Sequence, residues 1–233
     1  MLYTEQNVKD NIRNREGKRV FFLGKGDTLT PGARDHLSRE RIPILPGEAA
    51  KIETYKLLGG GTISQKPEHM THLHGDVLVS KTHPRIAFRG AIDALEAEIM
   101  LCQLNCGAFQ RELGEILALA RRLISCDVLN EPVPEEKLCG LTQAEIRSHS
   151  HFPQEHYGQP HFMPEYTDGP AVLWLNRARC AARAAELAAV RAFMDREGQP
   201  FREDILKAMN RMSSMLYILM IRAKKGEAVC KAD

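Results

Sequence analysis

Apolar residues recur at helical spacing through most of the chain after residue 80. Leu95, Ile99 and Cys102 lie three or four positions apart, which places their side chains on one face of an α-helix. The pattern predicts five helices, over residues 84–105, 109–127, 142–150, 170–196 and 201–223. Because short polar breaks, at 130–134 and 152–164, separate several of them, we expect a mainly α fold built on a five-helix bundle.

The first fifty residues follow a different pattern. The run RVFFL, ending at Leu23, reads as a strand, and a second strand is expected over 42–45. Between them, Thr30 and Pro31 open a helix to about Glu40, with Thr as its N-cap. These elements predict a small β-α-β appendage, preceded over residues 1–17 by a frayed or surface helical segment.

Four regions follow from these patterns. The expected boundaries are an α/β appendage (1–50), an irregular linker and nucleotide-side loop (51–78), the helical bundle (79–225) and a tail (226–233). The run of three glycines that ends at Gly61 is the expected flexible joint of the linker.

Composition excludes several classes of protein. The formal net charge of +2 gives no electrostatic reason to expect nucleic-acid binding. No apolar run approaches the roughly 20 residues of a membrane span, and the N-terminus is too polar for a signal peptide. Six cysteines without a CxxC pair are typical of free, reduced and mostly buried thiols. We therefore expect a cytoplasmic protein without a membrane or nucleic-acid partner.

Three stretches carry candidate chemistry. Lys81 precedes Pro84 in VSKTHPRIAFRGAIDALE, and a cation beside the unpaired N–H groups of a helix start is a candidate anion site. Such helix starts are common, so this signal is weak by itself.

The second stretch is LWLNRARCAARAAEL, in which Arg179, Arg183 and Glu186 form one helical stripe between small alanines. The alternative is a solvated face with an Arg183–Glu186 ion pair worth a few tenths of a kcal/mol. In the third, AMNRMSSMLYILMI, Asn210 and Tyr217 share a face within apolar surroundings. A buried asparagine there needs a partner, which a neighbouring helix could supply.

Nine histidines include groups before residue 75 and over residues 149–161. They lack paired cysteines and the HExxH order of zinc sites, so surface loops are their expected location.

Taken in order, these stretches resemble the ATP:corrinoid adenosyltransferases, and THLHGDVLVSKTHPRIAFRG and FREDILKAMNRMSSMLYILMI resemble the ethanolamine-utilisation type. The resemblance covers residues 70–222 and, more weakly, 19–45. It implies a cobalamin adenosyltransferase-like bundle that forms a dimer or trimer with sites where subunits meet. It also implies transfer of the 5′-deoxyadenosyl group of ATP to cob(I)alamin, with Mg²⁺, to supply adenosylcobalamin to ethanolamine ammonia-lyase.

The resemblance also implies roles for individual residues. Lys81 corresponds to a polyphosphate-contacting lysine, and Asp93 to an acid that pairs with Arg179 of a neighbouring subunit. Arg183 corresponds to an ATP-binding arginine and Glu186 to an acid on the same face. Asn210 corresponds to an ATP-contacting asparagine, and Phe162 to an aromatic residue of the corrinoid pocket. Lys81 and Arg183 are the expected catalytic residues, since stabilising the departing phosphates is the protein's main task.

Two departures from the family pattern stand out. The Cys-Cys-x-x-Cys group of metal-dependent ethanolamine-type enzymes is absent, so no structural iron or zinc is expected. The glycine- and threonine-rich phosphate loop of the propanediol-type relatives is not recognisable, and residues 71–76 occupy its place.

The resemblance further implies a flavin reductase as partner and a location in or near a bacterial microcompartment. Two alternatives remain at this point. One is a non-catalytic corrinoid-binding or microcompartment interaction protein with the same bundle, and the other is a plain helical scaffold.

Overall fold

The computed structural model describes residues 1–15, 18–46 and 54–227. These residues form two compact units. The first contains the described residues up to 55 together with 62–65, and the second contains residues 56–61 and the described residues from 66 onward. Each unit has its own hydrophobic core.

Up to residue 46, the first unit contains five strands and two helices: β1 (Leu2–Tyr3), α1 (Glu5–Asp10), β2 (Ile12–Arg15), β3 (Lys18–Leu23), β4 (Thr28–Leu29), α2 (Pro31–Arg39) and β5 (Ile44–Pro46). Strands β3 and β5 pair in parallel and are joined through α2, which confirms the predicted β-α-β appendage. Thr30 caps α2 by accepting a hydrogen bond from the backbone N–H of Ala33, because a helix start leaves its first N–H groups unpaired.

The prediction of a helical segment over residues 1–17 is wrong for most of the described part. Only α1 is helical, and β2 pairs antiparallel with β3. The alternation of side chains that β2 needs is too short to be recognised without its partner strand. Residues 16 and 17 lie outside the described residues.

The segment predicted to be irregular over residues 51–78 contains strands. They are β6 (Tyr55–Leu57), β7 (Thr62–Ile63), β8 (Met70–His74) and the start of β9 (Val77–Ser80). Strands β8 and β9 form a hairpin whose turn contains Gly75 at a φ of 49°, a conformation that glycine adopts at little cost. Residues 51–53 lie outside the described residues.

Six helices make up the rest of the second unit: α3 (Pro84–Asn105), α4 (Gln110–Leu129), α5 (Gln143–His151), α6 (Pro153–Tyr157), α7 (Pro170–Phe193) and α8 (Glu203–Arg222). All five predicted helices are present, and the mainly α bundle is confirmed. The short α6 lies within the break predicted at 152–164, where Pro153 opens the helix and Gly158 ends it in the left-handed region.

Helix α7 is the centre of the bundle and packs against both α3 and α8. Its buried face is mostly alanine, including the fully buried Ala178, Ala182 and Ala185. Small side chains allow the two neighbouring helices to approach closely. The larger residues of the core come from those neighbours, as with Phe88 of α3 and Met212 of α8. This packing fixes the outer face of α7, and the charged residues on it, beside α8.

Candidate functional site

An open groove of about 810 Å³ runs beside α7 and α8. Helix α7 contributes Arg179 and Arg183, and α8 contributes Asn210 and Tyr217. The groove is completed by the end of α5 and by the segment that includes Phe162. It therefore brings together four of the residues expected from the sequence: Arg179, Arg183, Asn210 and Phe162.

The two arginines of the groove differ in their surroundings. The guanidinium carbon of Arg179 lies 5.3 Å from the centre of the Tyr217 ring, a distance at which a cation is attracted to an aromatic face. Arg183, one turn further along α7, is exposed in the groove. The same face of α7 thus carries two positive charges in the groove: Arg179, which packs on an aromatic ring, and Arg183, which is exposed.

Asn210 and Glu186 connect the two helices. Asn210 Nδ2 donates to Glu186 Oε1 at 2.9 Å, so Glu186 contacts α8, and the alternative of an Arg183–Glu186 ion pair is not the contact seen. Asn210 is exposed, which corrects the expectation of a buried asparagine. Asn210 also lines the groove.

The segment that carries Phe162 is held by Tyr217. The Tyr217 hydroxyl accepts a hydrogen bond from the Phe162 backbone N–H at 3.3 Å and lies 3.1 Å from His161 Nδ1. The ammonium of Lys224 lies 4.3 Å from the centre of the Phe162 ring. One tyrosine of α8 therefore contacts both Arg179 and the aromatic segment, the two sides of the groove.

Lys81 and Asp93 lie outside the residues that line this groove. Lys81 is in the turn between β9 and α3, where its backbone N–H donates to His69 O at 2.8 Å and its side chain is exposed. Asp93 is exposed on α3. A single chain therefore does not place these two residues in the same groove as Arg183.

A buried charge cluster at the start of α3 was not anticipated from the sequence. Asp127 of α4 is completely buried and pairs with Arg85 at 2.7 Å and with Arg89 at 2.6 Å. Arg89 also donates to Leu73 O of β8 at 2.7 Å. The cluster ties the β8–β9 hairpin to α3 and α4, close in sequence to Lys81. The sequence gives no motif for this cluster, because the aspartate lies about forty residues from the two arginines and no known pattern has that spacing.

The histidines over residues 149–161 are only partly in loops. His149 belongs to α5, and its ring stacks on His156 with centres 3.9 Å apart. Its Nδ1 lies 2.7 Å from the Tyr157 hydroxyl. Burial and the nearby His156 lower the pKa of His149, because both disfavour a second positive charge.

Among the described residues, no group of three or more His, Cys, Asp or Glu side chains is arranged to hold a metal ion. Five of the six cysteines are described, all as free thiols, and three of these are buried. Cys230 lies outside the described residues. No described helix is both long and apolar enough to cross a membrane.

The sequence profile of the family described as Cobalamin adenosyltransferase matches residues 62–223, a range that contains the whole groove. The chain belongs to the cobalamin adenosyltransferase family. It is accordingly an enzyme of the class that transfers alkyl groups.

Curated relatives of this cobalamin adenosyltransferase agree with the assignment. The "Corrinoid adenosyltransferase EutT" of Salmonella typhimurium (strain LT2) is 32% identical over 94% of this chain and 90% of its own length. The protein of the same name from Escherichia coli (strain K12) is 31% identical over 68% of this chain and 60% of its own length. The first of these similarities extends beyond the family profile into the N-terminal unit.

Proposed function

We propose that this enzyme transfers the 5′-deoxyadenosyl group of ATP to cob(I)alamin in the groove beside α7 and α8. The observation that carries the proposal is the convergence of Arg179, Arg183, Asn210 and Phe162 on one groove. The sequence alone indicates each of these four residues. A plain scaffold has no need for two arginines facing an aromatic segment across an open groove.

The proposed reaction does not require the protein to form a covalent bond with the substrate. The reduced cobalt is the nucleophile, so a Co–C5′ bond forms while the C5′–O bond breaks and its electron pair leaves with the polyphosphate. The protein must align C5′ with the cobalt and stabilise charge on the departing phosphates. Arg183, exposed in the groove, suits the second task. Arg179, braced on Tyr217, is placed to orient the nucleotide.

Mg²⁺ is proposed to arrive with the nucleotide. None of the described residues that line the groove is an aspartate or glutamate, and carboxylates are the protein ligands that Mg²⁺ favours. The phosphates of ATP and water molecules would then supply most of the oxygen ligands of the ion. The enzyme would therefore bind ATP as its magnesium complex without a dedicated metal cage.

The complete site is proposed to lie between two subunits. Helices α3 and α7 pack together and expose several large apolar side chains: Met100, Leu101, Leu104, Leu173, Leu187 and Val190. An exposed apolar face of this kind is typical of a protein–protein interface. A second copy on this face would add its Lys81 to the polyphosphate end of the groove and its Asp93 beside Arg179. A dimer and a trimer both satisfy this arrangement.

The aromatic end of the groove is proposed to receive the corrinoid. Phe162 lies within an apolar and aromatic surrounding that includes Tyr217 and Met163. Such a pocket would exclude the lower ligand of cobalamin, which makes reduction to cob(I)alamin easier. A flavin reductase is the proposed source of the electrons.

The physiological role is proposed from the similarity to the two curated relatives. The name of these relatives, together with the ethanolamine-type stretches of the sequence, supports a supply of adenosylcobalamin for ethanolamine ammonia-lyase. A cytoplasmic location in or near a bacterial microcompartment fits that role.

The proposal is tested with ATP, Mg²⁺ and cobalamin under strong reductant, following the visible spectrum of adenosylcobalamin. We expect Arg183→Ala to lower kcat by about a hundredfold to a thousandfold, as for the loss of one donor to a developing negative charge. The matched control is Arg191→Ala, which removes an exposed arginine of α7 that does not line the groove. Absence of product with the unmodified enzyme would refute the reaction, and a normal rate for Arg183→Ala would refute the site.

A further inference from the structure

The aromatic ring of Phe162 is held by a lysine that the proposed reaction does not use. Lys224 lies just after α8, in the segment Ala223–Glu227. Its ammonium lies over the Phe162 ring, 4.3 Å from the ring centre, and a cation at this distance is attracted to an aromatic face. Among the described residues that line the groove, Phe162 is present and Lys224 is not. Lys224 therefore meets the groove through the ring of Phe162.

Asp168 fixes the position of this ammonium. Lys224 Nζ donates to Asp168 Oδ1 at 2.8 Å, and the Asp168 side chain is only 11% exposed. The other oxygen of the same carboxylate, Oδ2, accepts a hydrogen bond from the backbone N–H of Glu165 at 2.9 Å, in the turn before α7. An exposed ion pair contributes little partly because both side chains must be ordered to form it. Here the carboxylate is already held by the turn, so only the lysine has to be ordered.

Lys224 and Tyr217 hold Phe162 from the same side of one helix. They are seven residues apart, close to two helical turns, so α8 and its continuation present them on one face. Tyr217 accepts the Phe162 backbone N–H at 3.3 Å, and the two rings pack with their centres 6.0 Å apart and their planes at 27°. The backbone bond fixes where Phe162 lies. The direction of its ring depends on the contacts of the ring itself, and the ammonium of Lys224 is one of them.

We propose that Lys224 is a positioning residue for the corrinoid, which keeps the Phe162 ring in the orientation that receives the substrate. This inference rests on the proposed role of Phe162 in the corrinoid pocket. A ring that is free to turn must be ordered when the corrinoid binds, and that loss of freedom weakens binding. The effect should be confined to the corrinoid, because Arg183 and Asn210, which are proposed to bind ATP, make none of these contacts.

The first test is steady-state kinetics with each substrate varied in turn. Lys224→Gln should raise KM for cobalamin about fivefold, the size of a cation–π contribution at a partly exposed site, and leave KM for ATP unchanged. Lys224→Arg retains a cation that can lie over the ring, so its KM for cobalamin should stay within about twofold of the unmodified value. Lys225→Gln is the matched control, at the neighbouring exposed lysine, and should change neither KM.

A double-mutant cycle shows whether Lys224 acts through the ring. In a Phe162→Leu background, adding Lys224→Gln should raise KM for cobalamin no further, because residues that act through one contact are not additive. A purely structural ion pair would change the stability of the chain and leave KM for cobalamin alone. The inference is wrong if Lys224→Gln has a normal KM for cobalamin, or if its effect is the same with and without the Phe162 ring.

The second test measures binding without turnover. Equilibrium dialysis of hydroxocobalamin, with ATP present and no reductant, gives a Kd because the oxidised cobalt cannot attack ATP. The Kd values should follow the same order as the KM values. If the unmodified chain binds hydroxocobalamin but makes no adenosylcobalamin, the proposed reaction fails while the dialysis still tests Lys224. If the unmodified chain does not bind it, or Phe162→Leu binds it equally well, the inference falls together with the corrinoid pocket.

Discussion

At the scale of single residues, Asp127 is a buried carboxylate in the bundle that forms two ion pairs. It is fully buried and holds two arginines whose side chains are only 17% and 15% exposed. A buried ion pair contributes little relative to an apolar replacement, but removal of one partner leaves an uncompensated charge in the interior. Two guanidiniums would lose their counterion together here.

We predict that Asp127→Asn lowers the free energy of unfolding of the bundle by about 3 kcal/mol or more. Denaturation in urea, followed by far-ultraviolet circular dichroism, measures it. The control is Glu96→Gln, which breaks the pair with Arg121, an arginine that is 57% exposed, and which should cost less than about 1 kcal/mol. Equal losses in the two variants would mean that Arg85 and Arg89 find other partners.

At the scale of elements, the segment with Phe162 depends on α8 for its position. Tyr217 supplies one hydroxyl to both His161 and the Phe162 backbone, while its ring supports Arg179. The two functions of this tyrosine are separable by removing the oxygen alone.

We predict that Tyr217→Phe raises KM for cobalamin about fivefold, since a neutral hydrogen bond contributes about 1 kcal/mol. KM for ATP should stay the same, because the ring that supports Arg179 is retained. Steady-state kinetics with each substrate varied in turn measure both values. Tyr166→Phe, at an 87% exposed tyrosine, should change neither KM. A rise in the KM for ATP instead would show that Tyr217 acts through the arginine.

The corner between α5 and α6 gives a prediction about pH. The pKa of His149 is lowered in the folded chain by burial and by His156, so the unfolded chain takes up this proton at a higher pH. Stability should therefore fall as the pH drops from about 6.5, the ordinary value for histidine, through the folded pKa of His149. The His149→Gln variant should lack the part of this pH dependence of stability that comes from His149.

The measurement compares the free energies of unfolding of the two proteins at about pH 7.5 and about pH 5.5. The fall between these values should be smaller in His149→Gln, whereas His69→Gln, at an exposed histidine, should behave as the unmodified chain. An identical fall in all three would assign the pH dependence to other groups.

At the scale of the whole molecule, the central question is whether a second copy of the chain supplies Lys81 to the groove. The groove contains Arg183 but not Lys81, and α3 and α7 carry exposed apolar side chains, on which a second copy is proposed to pack. If two subunits build each site, a subunit with a defective Lys81 and one with a defective Arg183 can complete each other.

We predict that Lys81→Ala and Arg183→Ala enzymes, each nearly inactive, regain activity when unfolded together and refolded as a mixture. Random assembly of equal amounts should restore about a quarter of the sites, whether the oligomer is a dimer or a trimer. Adenosylcobalamin formation measures the recovery, and each variant refolded alone is the control. No recovery, with mixed oligomers demonstrated by differently tagged chains, would place both residues in one subunit.

Local patterns were sufficient for most of the bundle. The five long helices follow from apolar spacing and from prolines at their starts, as at Pro84 and Pro170, because these signals act within a few residues. The short strands β2 and β8 were missed, since each is specified by its partner strand and hardly by its own sequence.

The sequence alone therefore determined the fold class, the β-α-β appendage, the family and the helical stripe that carries Arg179, Arg183 and Glu186. Each of these depends on order and spacing along the chain. Only the tertiary structure showed that Asn210 bridges to Glu186, that Tyr217 holds the Phe162 segment, and that Asp127 joins two arginines. Such contacts link residues 24 to 55 positions apart. The packing of the helices decides whether these residues come into contact, and a local sequence pattern does not specify that packing.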